Sequence, residues 1–239
     1  MRWLSARPYR AIESQHLIST RKLVDSDDEQ RLLEELIEAR KPALPPLAPR
    51  PLHYLLTTPF RYPPLPHGSR FGTRLELGIW YGSLELRGVF AETAYYRLLF
   101  VEGSKAQLTP LELELTIFRI RVKTRLGIDL TAAPFAAHES ALSSKESYAA
   151  SQALGRAMRE AGVEAFKYRS ARDALSGTNL AVTTPRAFAE RRPTDLETWW
   201  CRIDEISVDF VRKSHFQRGA MRFLREQFLV RGRLPAPSV

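Results

Sequence analysis

Glu92 sits where a carboxylate needs a reason. It falls at helical spacing from Val89, Tyr96 and Leu99, so a helix here projects an acid from a largely apolar face. Taking an ionised carboxylate out of water costs on the order of several kcal/mol unless the group is paired or hydrogen-bonded. Two readings stand side by side: Glu92 neutralises an arginine in the core, or it faces a cleft where positive charge develops on a ligand. Upstream, two arginines stand in aromatic company, in Phe60-Arg61-Tyr62 and Ser69-Arg70-Phe71. A guanidinium is a planar fork of donors suited to phosphate oxygens, and aromatic neighbours can flank a base or a pyridine ring. Either arginine could equally lie on the surface with its stem laid along apolar neighbours.

Other chemistries lack their residues. No phosphate-binding loop ends in Gly-Lys-Ser/Thr, and neither an HExxH pair nor a Gly-x-Ser-x-Gly elbow occurs. Gly68, Gly72 and Gly78 do not have the spacing of a dinucleotide-binding turn. His138-Glu139 has no second ligand beside it and reads as a surface loop, and no metal is expected. The one cysteine, Cys201, excludes an intrachain disulfide and a multi-cysteine zinc site, and points to a reducing cytoplasm.

The elements that must position these residues alternate between strand and helix signals. Ser26-Asp27-Asp28-Glu29 is a capping box ahead of Leu32, Leu33, Leu36 and Ile37, and Pro42 ends that run. The first 40 residues therefore read as a helical extension whose amphipathic helix packs onto the domain behind it. Nine of the 16 prolines fall between Lys41 and Arg70, which makes a stiff connector and places the domain boundary near Arg50. Residues 1–50 are thus an extension and 51–239 the main domain. Leu77 to Ser83 reads as a strand, Gly88 to Phe100 as a helix, and Ile117 to Arg125 as a half-buried strand with a basic face. Lys145 to Ala161 reads as a helix offering Ala149, Leu154, Ala157 and Met158 to the core, stopped by Gly162. Strands follow at Val163–Tyr168, Leu180–Thr184 and around Trp199–Val211. The mixture predicts an α+β fold.

Composition sets outer bounds. The 239 residues are 44% hydrophobic and 26% charged, which suits a chain with a buried core and excludes a disordered or fibrous one. No apolar run is long enough to span a membrane, and Met1 to Pro8 has no secretory pattern. The formal charge of +9 favours an anionic partner. Its cations are spread along the chain without the dense run of a nucleic-acid tail, which speaks against direct nucleic-acid binding.

Taken in order, Arg61-Tyr62, Gly68-Ser69-Arg70-Phe71, Trp80-Tyr81-Gly82-Ser83, Ala91-Glu92 and Tyr168-Arg169-Ser170-Ala171 resemble the RES domain, a family named for an arginine, a glutamate and a serine. Arg70, Tyr81 and Glu92 follow one another at two intervals of 11 residues, the spacing expected of that family. The resemblance runs from about Leu52 to Phe188. Phe71 departs from it, standing where many members carry tryptophan, and so does the long front end, which compact members lack.

The resemblance implies a core similar to that of ADP-ribosyltransferase toxins, with mixed and antiparallel sheets flanked by helices. It implies NAD⁺ as substrate and an Xre-type helix-turn-helix antitoxin as partner. Some members split NAD⁺ with phosphate or water as acceptor. Others hand ADP-ribose to a protein, phosphoribosyl pyrophosphate synthetase being one target class. Carried over residue by residue, Glu92 would stabilise an oxocarbenium-like ribose and Arg61 and Arg70 would clamp the diphosphate. Tyr62 and Tyr81 would position the ribose–nicotinamide half, and Ser170 would hydrogen-bond the ligand. A non-catalytic nucleic-acid-binding module, resting on the basic strand Ile117 to Arg125, is the alternative from another class.

Overall fold

Two nearly continuous ribbons organise the molecule. The computed structural model describes residues 1–14, 24–42, 51–62, 64–106, 108–214 and 216–236. Strands β1 (Arg2–Ala6) and β2 (Tyr9–Glu13) run antiparallel to β5 (Val122–Asp129) and β4 (Leu111–Arg119), with Ala6 opposite Val122 and Tyr9 opposite Arg119. The pairing kinks at Arg7-Pro8 and Ile120-Arg121, and the two halves of the ribbon go to different parts of one ten-stranded sheet. The remaining strands are β3 (Trp80–Ser83), β6 (Ala165–Arg169), β7 (Thr178–Val182), β8 (Thr194–Ile203), β9 (Ser207–Arg212) and β10 (Ala220–Leu224). The order is β1-β5-β6-β7-β3-β2-β4-β8-β9-β10, and β5 with β6 is the parallel pair among antiparallel ones. With five α-helices this is the α+β fold expected.

Two expectations change here. The first 40 residues are not a helical extension: β1 and β2 belong to the sheet, β1 at its edge and β2 in its interior, where Trp3-Leu4 and Tyr9 to Ile12 supply the β-prone residues and Leu4 is buried. Among the described residues of this stretch the helical signal belongs to α1 (Asp27–Arg40) alone. Likewise Ile117 to Arg125 is not one strand, since it spans the kink between β4 and β5. Its alternation changes phase earlier, at Ile117-Phe118, both buried, where the register of β4 also shifts.

The cap of α1 forms as the capping box demands, with the Glu29 amide donating to Ser26 Oγ at 3.2 Å. The Glu29 carboxylate accepts from the Asp25 amide at 2.9 Å. Packing does not follow: no residue of α1 is buried, and Leu32 and Leu36 are each 56% exposed. The Glu38–Arg61 ion pair at its C-terminal end, rather than its apolar stripe, ties it to the described parts of the chain. The connector's residues 43–50 lie outside the described residues.

Helix α2 (Tyr54–Arg61) covers one half of the sheet through Leu56 and Phe60, which join Trp80, Phe118 and Phe188. Helix α3 (Leu86–Gly103) covers the other. Phe90 stacks on Phe210 at 4.3 Å and meets Trp199 edge-on, while Ala91 and Ala94 let the helix sit close. The next stripe of α3, Val89, Glu92, Thr93 and Tyr96, is left facing a cleft.

After the short helix α4 (Glu139–Leu142), α5 (Ala149–Glu160) buries Ser151, Gln152 and Gly155 with the expected Met158; Leu154 packs half-buried against the core, and the expected Ala149 and Ala157 are exposed. The reason is the loop it covers, whose backbone carbonyls need donors. Ser151 Oγ donates to the Arg70 carbonyl at 2.5 Å, and Gln152 Nε2 to those of His67 and Ser69 at 3.0 Å each. A Cβ on Gly155 would stand 1.9 Å from the Phe71 carbonyl oxygen. Gly155→Ala should therefore destabilise the protein, although alanine is the better helix former by about 1 kcal/mol. Displacing backbone costs about 1–3 kcal/mol more than that gain. Thermal unfolding should show a loss of several degrees.

Candidate active site

Between α2 and α3, floored by β2, β3, β6 and β7, lies a cleft of about 970 Å³. That is near the top of the roughly 300–1,000 Å³ range of small-molecule sites. Its charged walls carry four cations, Arg10, Lys41, Arg61 and Arg70, against the carboxylates Glu38 and Glu92. An anionic ligand suits that balance.

Glu92 is fixed by one oxygen. Oε1 accepts from Ser170 Oγ at 2.8 Å and from Asn179 Nδ2 at 2.9 Å, and no described residue bonds Oε2. The carboxylate is thus aimed by neutral donors, with no arginine neutralising it, and one oxygen is left for the cleft. Of the two readings open in the sequence, this geometry matches the second. Ser170 sits behind Glu92: its Oγ also accepts from the amides of Arg172 and Asp173, at 3.2 and 3.1 Å. It reaches the cleft through the glutamate it holds.

Tyr81 is held as tightly. Its hydroxyl lies 2.9 Å from Ser69 Oγ and accepts from the Phe71 amide at 3.1 Å, so β3 fixes the loop that carries Arg70. Burial pushes its phenol up to about 12 despite those two bonds. It is a neutral hydroxyl at ordinary pH. Burial also raises Tyr168, another phenol of the cleft, well above the usual range.

The arginines differ in how free they are. Arg70 is 6% exposed and lies over the Tyr148 ring at 4.8 Å. Its Nη1 donates to the carbonyls of Ser144 and Leu142, at 2.8 and 3.3 Å, and no carboxylate among the described residues pairs with it. Arg61 already has an anion, since Nη1 donates to Glu38 Oε1 at 3.1 Å while Nε bonds the Pro42 carbonyl. Tyr62 lines the rim of the cleft, 40% exposed.

One cleft therefore gathers Arg61, Tyr62, Arg70, Tyr81 and Glu92, with Ser170 directly behind. A model of the RES domain matches residues 45–204. The chain belongs to the RES family. No curated protein gives a significant match.

Two residues of this RES cleft escaped the sequence reading. Asn179 is 2% exposed in β7, and a buried amide beside Leu180, Ala181 and Val182 was the available sign that something polar needed it. Arg10 comes from β2, outside the matched segment. Its Nη1 donates to the Tyr81 carbonyl at 2.6 Å and its guanidinium lies 5.2 Å from the Trp80 ring. Its Nε is buried without a partner, no carboxylate among the described residues pairs with it, and burial lowers its pKa to about 10. Tyr9-Arg10 shows the same arginine-beside-aromatic pattern as Arg61 and Arg70, hidden because the strand around it went unread.

Two tests follow from these contacts. Tyr81 ionises near 10 in an unfolded chain and near 12 here, so its stabilising contribution is complete below pH 10 and lost as pH rises towards 12. Melting temperature should fall over that window, less steeply in Tyr81→Phe. Ser170→Ala strips Glu92 of a donor and two amides of an acceptor. Denaturant unfolding should register a loss of about 1–3 kcal/mol.

Proposed function

We propose that this protein cleaves the bond between nicotinamide and ribose in NAD⁺, with phosphate or water as acceptor, as the toxin of a toxin–antitoxin pair. The observation that carries the reading is the Glu92 carboxylate, held through Oε1 alone, on the wall of a cleft rich in guanidinium groups. RES-family membership supplies the NAD⁺ connection.

The chemistry asks for little more than this. When the C1′–N bond breaks, its electron pair leaves with the pyridine ring, so a cationic pyridinium departs as neutral nicotinamide and needs no general acid. Positive charge remains on the sugar as an oxocarbenium-like centre. A pre-aimed carboxylate stabilises it there. Ser170 and Asn179 keep Glu92 from turning towards the cleft's arginines. Arg10 and Arg70 stand ready for the diphosphate, and Arg61 joins once Glu38 gives way. Neutral Tyr81 and rim-exposed Tyr62 border the ribose–nicotinamide half. The acceptor oxygen then bonds to C1′ and its proton passes to solvent.

A second reading keeps the cleavage and transfers ADP-ribose to a protein. Helix α1 favours it, because Leu32, Leu36 and Ile37 are exposed on the element whose Glu38 and Lys41 reach the cleft. The same apolar stripe is where we place a protein partner such as an Xre-type antitoxin. Against the nucleic-acid reading, Arg119 bonds the Arg7 carbonyl and Arg121 pairs with Glu190, so two of the four cations of its basic face are already engaged. No helix among the described residues is long and apolar enough to cross a membrane. Cys201, buried with its thiol pushed up to about 12, is suited to a cytoplasmic setting and carries no chemistry.

Mass analysis of products from purified protein, NAD⁺ and phosphate tests the reading. Soluble phosphorylated ADP-ribose is the expected product, and label fixed to a co-purified protein would favour the second reading. Glu92→Gln keeps shape and removes charge, so kcat should fall by roughly 10²–10³ with an unchanged melting temperature. Full turnover by a folded Glu92→Gln protein would contradict the assignment.

A further inference from the structure

Arg61 and its counter-ion come from different layers of the molecule. Arg61 closes helix α2 and is 18% exposed at its side chain, whereas Glu38, on α1, is 59% exposed. Between them runs the 3.1 Å ion pair, with Lys41 Nζ on the other carboxylate oxygen at 2.6 Å. These two bonds, from Lys41 first and Arg61 second, hold the Glu38 carboxyl below its usual range. Both Glu38 and Lys41 line the cleft. Helix α1 buries none of its residues, so little packing has to break for its end to move.

We propose that Glu38 is an affinity-setting residue: its carboxylate is a resident counter-ion on Arg61 that the phosphates of an incoming ligand must displace. The reasoning is competition for one donor fork. Arg61 Nε is held by the Pro42 carbonyl and Nη1 by Glu38, so each of the two guanidinium edges that a phosphate could bridge already has one N–H engaged by α1 and the residues just after it. A phosphate gains the bidentate contact only after the carboxylate leaves. The carboxylate leaves cheaply, because it is solvent-exposed and stays paired with Lys41. Ligand capture is then an exchange of anions, and the cleft is partly self-inhibited when empty.

The proposal rests on the NAD⁺ reading only for the natural ligand, so the probe is inorganic pyrophosphate, titrated calorimetrically into the full chain. Exposed ion pairs are weak, and Glu38→Gln should tighten pyrophosphate by roughly two- to fivefold. It should also steepen the salt dependence of binding, since one anion is no longer traded for another. Glu35→Gln, the same charge change on the same helix with no contact to Arg61, should leave affinity unchanged. In an Arg61→Gln background the gain from Glu38→Gln should vanish. With NAD⁺ as substrate, Glu38→Gln should lower KM by the same factor and leave kcat alone.

Equal pyrophosphate affinity in wild type and Glu38→Gln overturns the proposal. So does a gain matched by Glu35→Gln, or one that persists without Arg61, because either would be a general charge effect. A protein that does not consume NAD⁺ but gains pyrophosphate affinity through Glu38→Gln keeps the exchange and loses the enzymatic reading.

Discussion

The carboxylate of Glu92 is stabilised by neutral donors in a place full of cations, and the surrounding structure is arranged to keep it so. A glutamate that shares a cleft with guanidinium groups would gain most by pairing with one of them. Ser170 and Asn179 prevent this by taking Oε1 from the side of β6 and β7, and the arginines are bound elsewhere. Arg70 is anchored on the carbonyls that follow α4, Arg10 on the Tyr81 carbonyl, and Arg61 on Glu38. Arg10 and Arg70 are tied by carbonyls that leave their charge intact, Arg61 carries its own counter-ion, and Glu92 pairs with none of the three. The cleft thus holds Glu92 apart from Arg10 and Arg70, the condition for acid and cations to act on one ligand.

Positioning comes from three layers. The sheet supplies Arg10, Tyr81 and Asn179 on adjacent strands β2, β3 and β7. Helix α3 supplies Glu92 by burying one stripe, Phe90 with Ala91 and Ala94, and leaving the next one open. Helix α5 contributes no ligand group, yet Ser151, Gln152 and Gly155 hold the loop of Ser69 and Arg70 from behind. Polar and small residues are buried there because they serve a backbone.

What could be read from the sequence divides along the same lines. Local signals were sound wherever one element acts alone: the Ser26 cap, the helix around Glu92, the stop at Gly162, and the strands β6 and β7. The spacing of Arg70, Tyr81 and Glu92 pointed to residues that line one cleft, because a strand and a helix in succession fix those distances. Periodicity did not reveal pairings between distant residues. It could not place β1 and β2 in the sheet, break Ile117 to Arg125 at a kink, or show that α5 buries its polar side. Nor could it show that α1 leaves its apolar stripe exposed, since an amphipathic pattern says which face is apolar and nothing of what faces it. Asn179 and Arg10 were missed for that reason: their roles exist only across strands.

The bent ribbon has a consequence for how the chain is made. Strand β2 leaves the ribosome early, yet Tyr9 finds its partner Arg119 only after more than a hundred further residues have been added. Until then the floor of the cleft lacks the strand that carries Arg10, and residues 165–182, which bring Asn179 and Ser170 to Glu92, come later still. Such long-range pairing makes folding slow and late. A nascent chain therefore has no complete cleft until synthesis is well advanced, which leaves time for anything that must meet the protein before it can act.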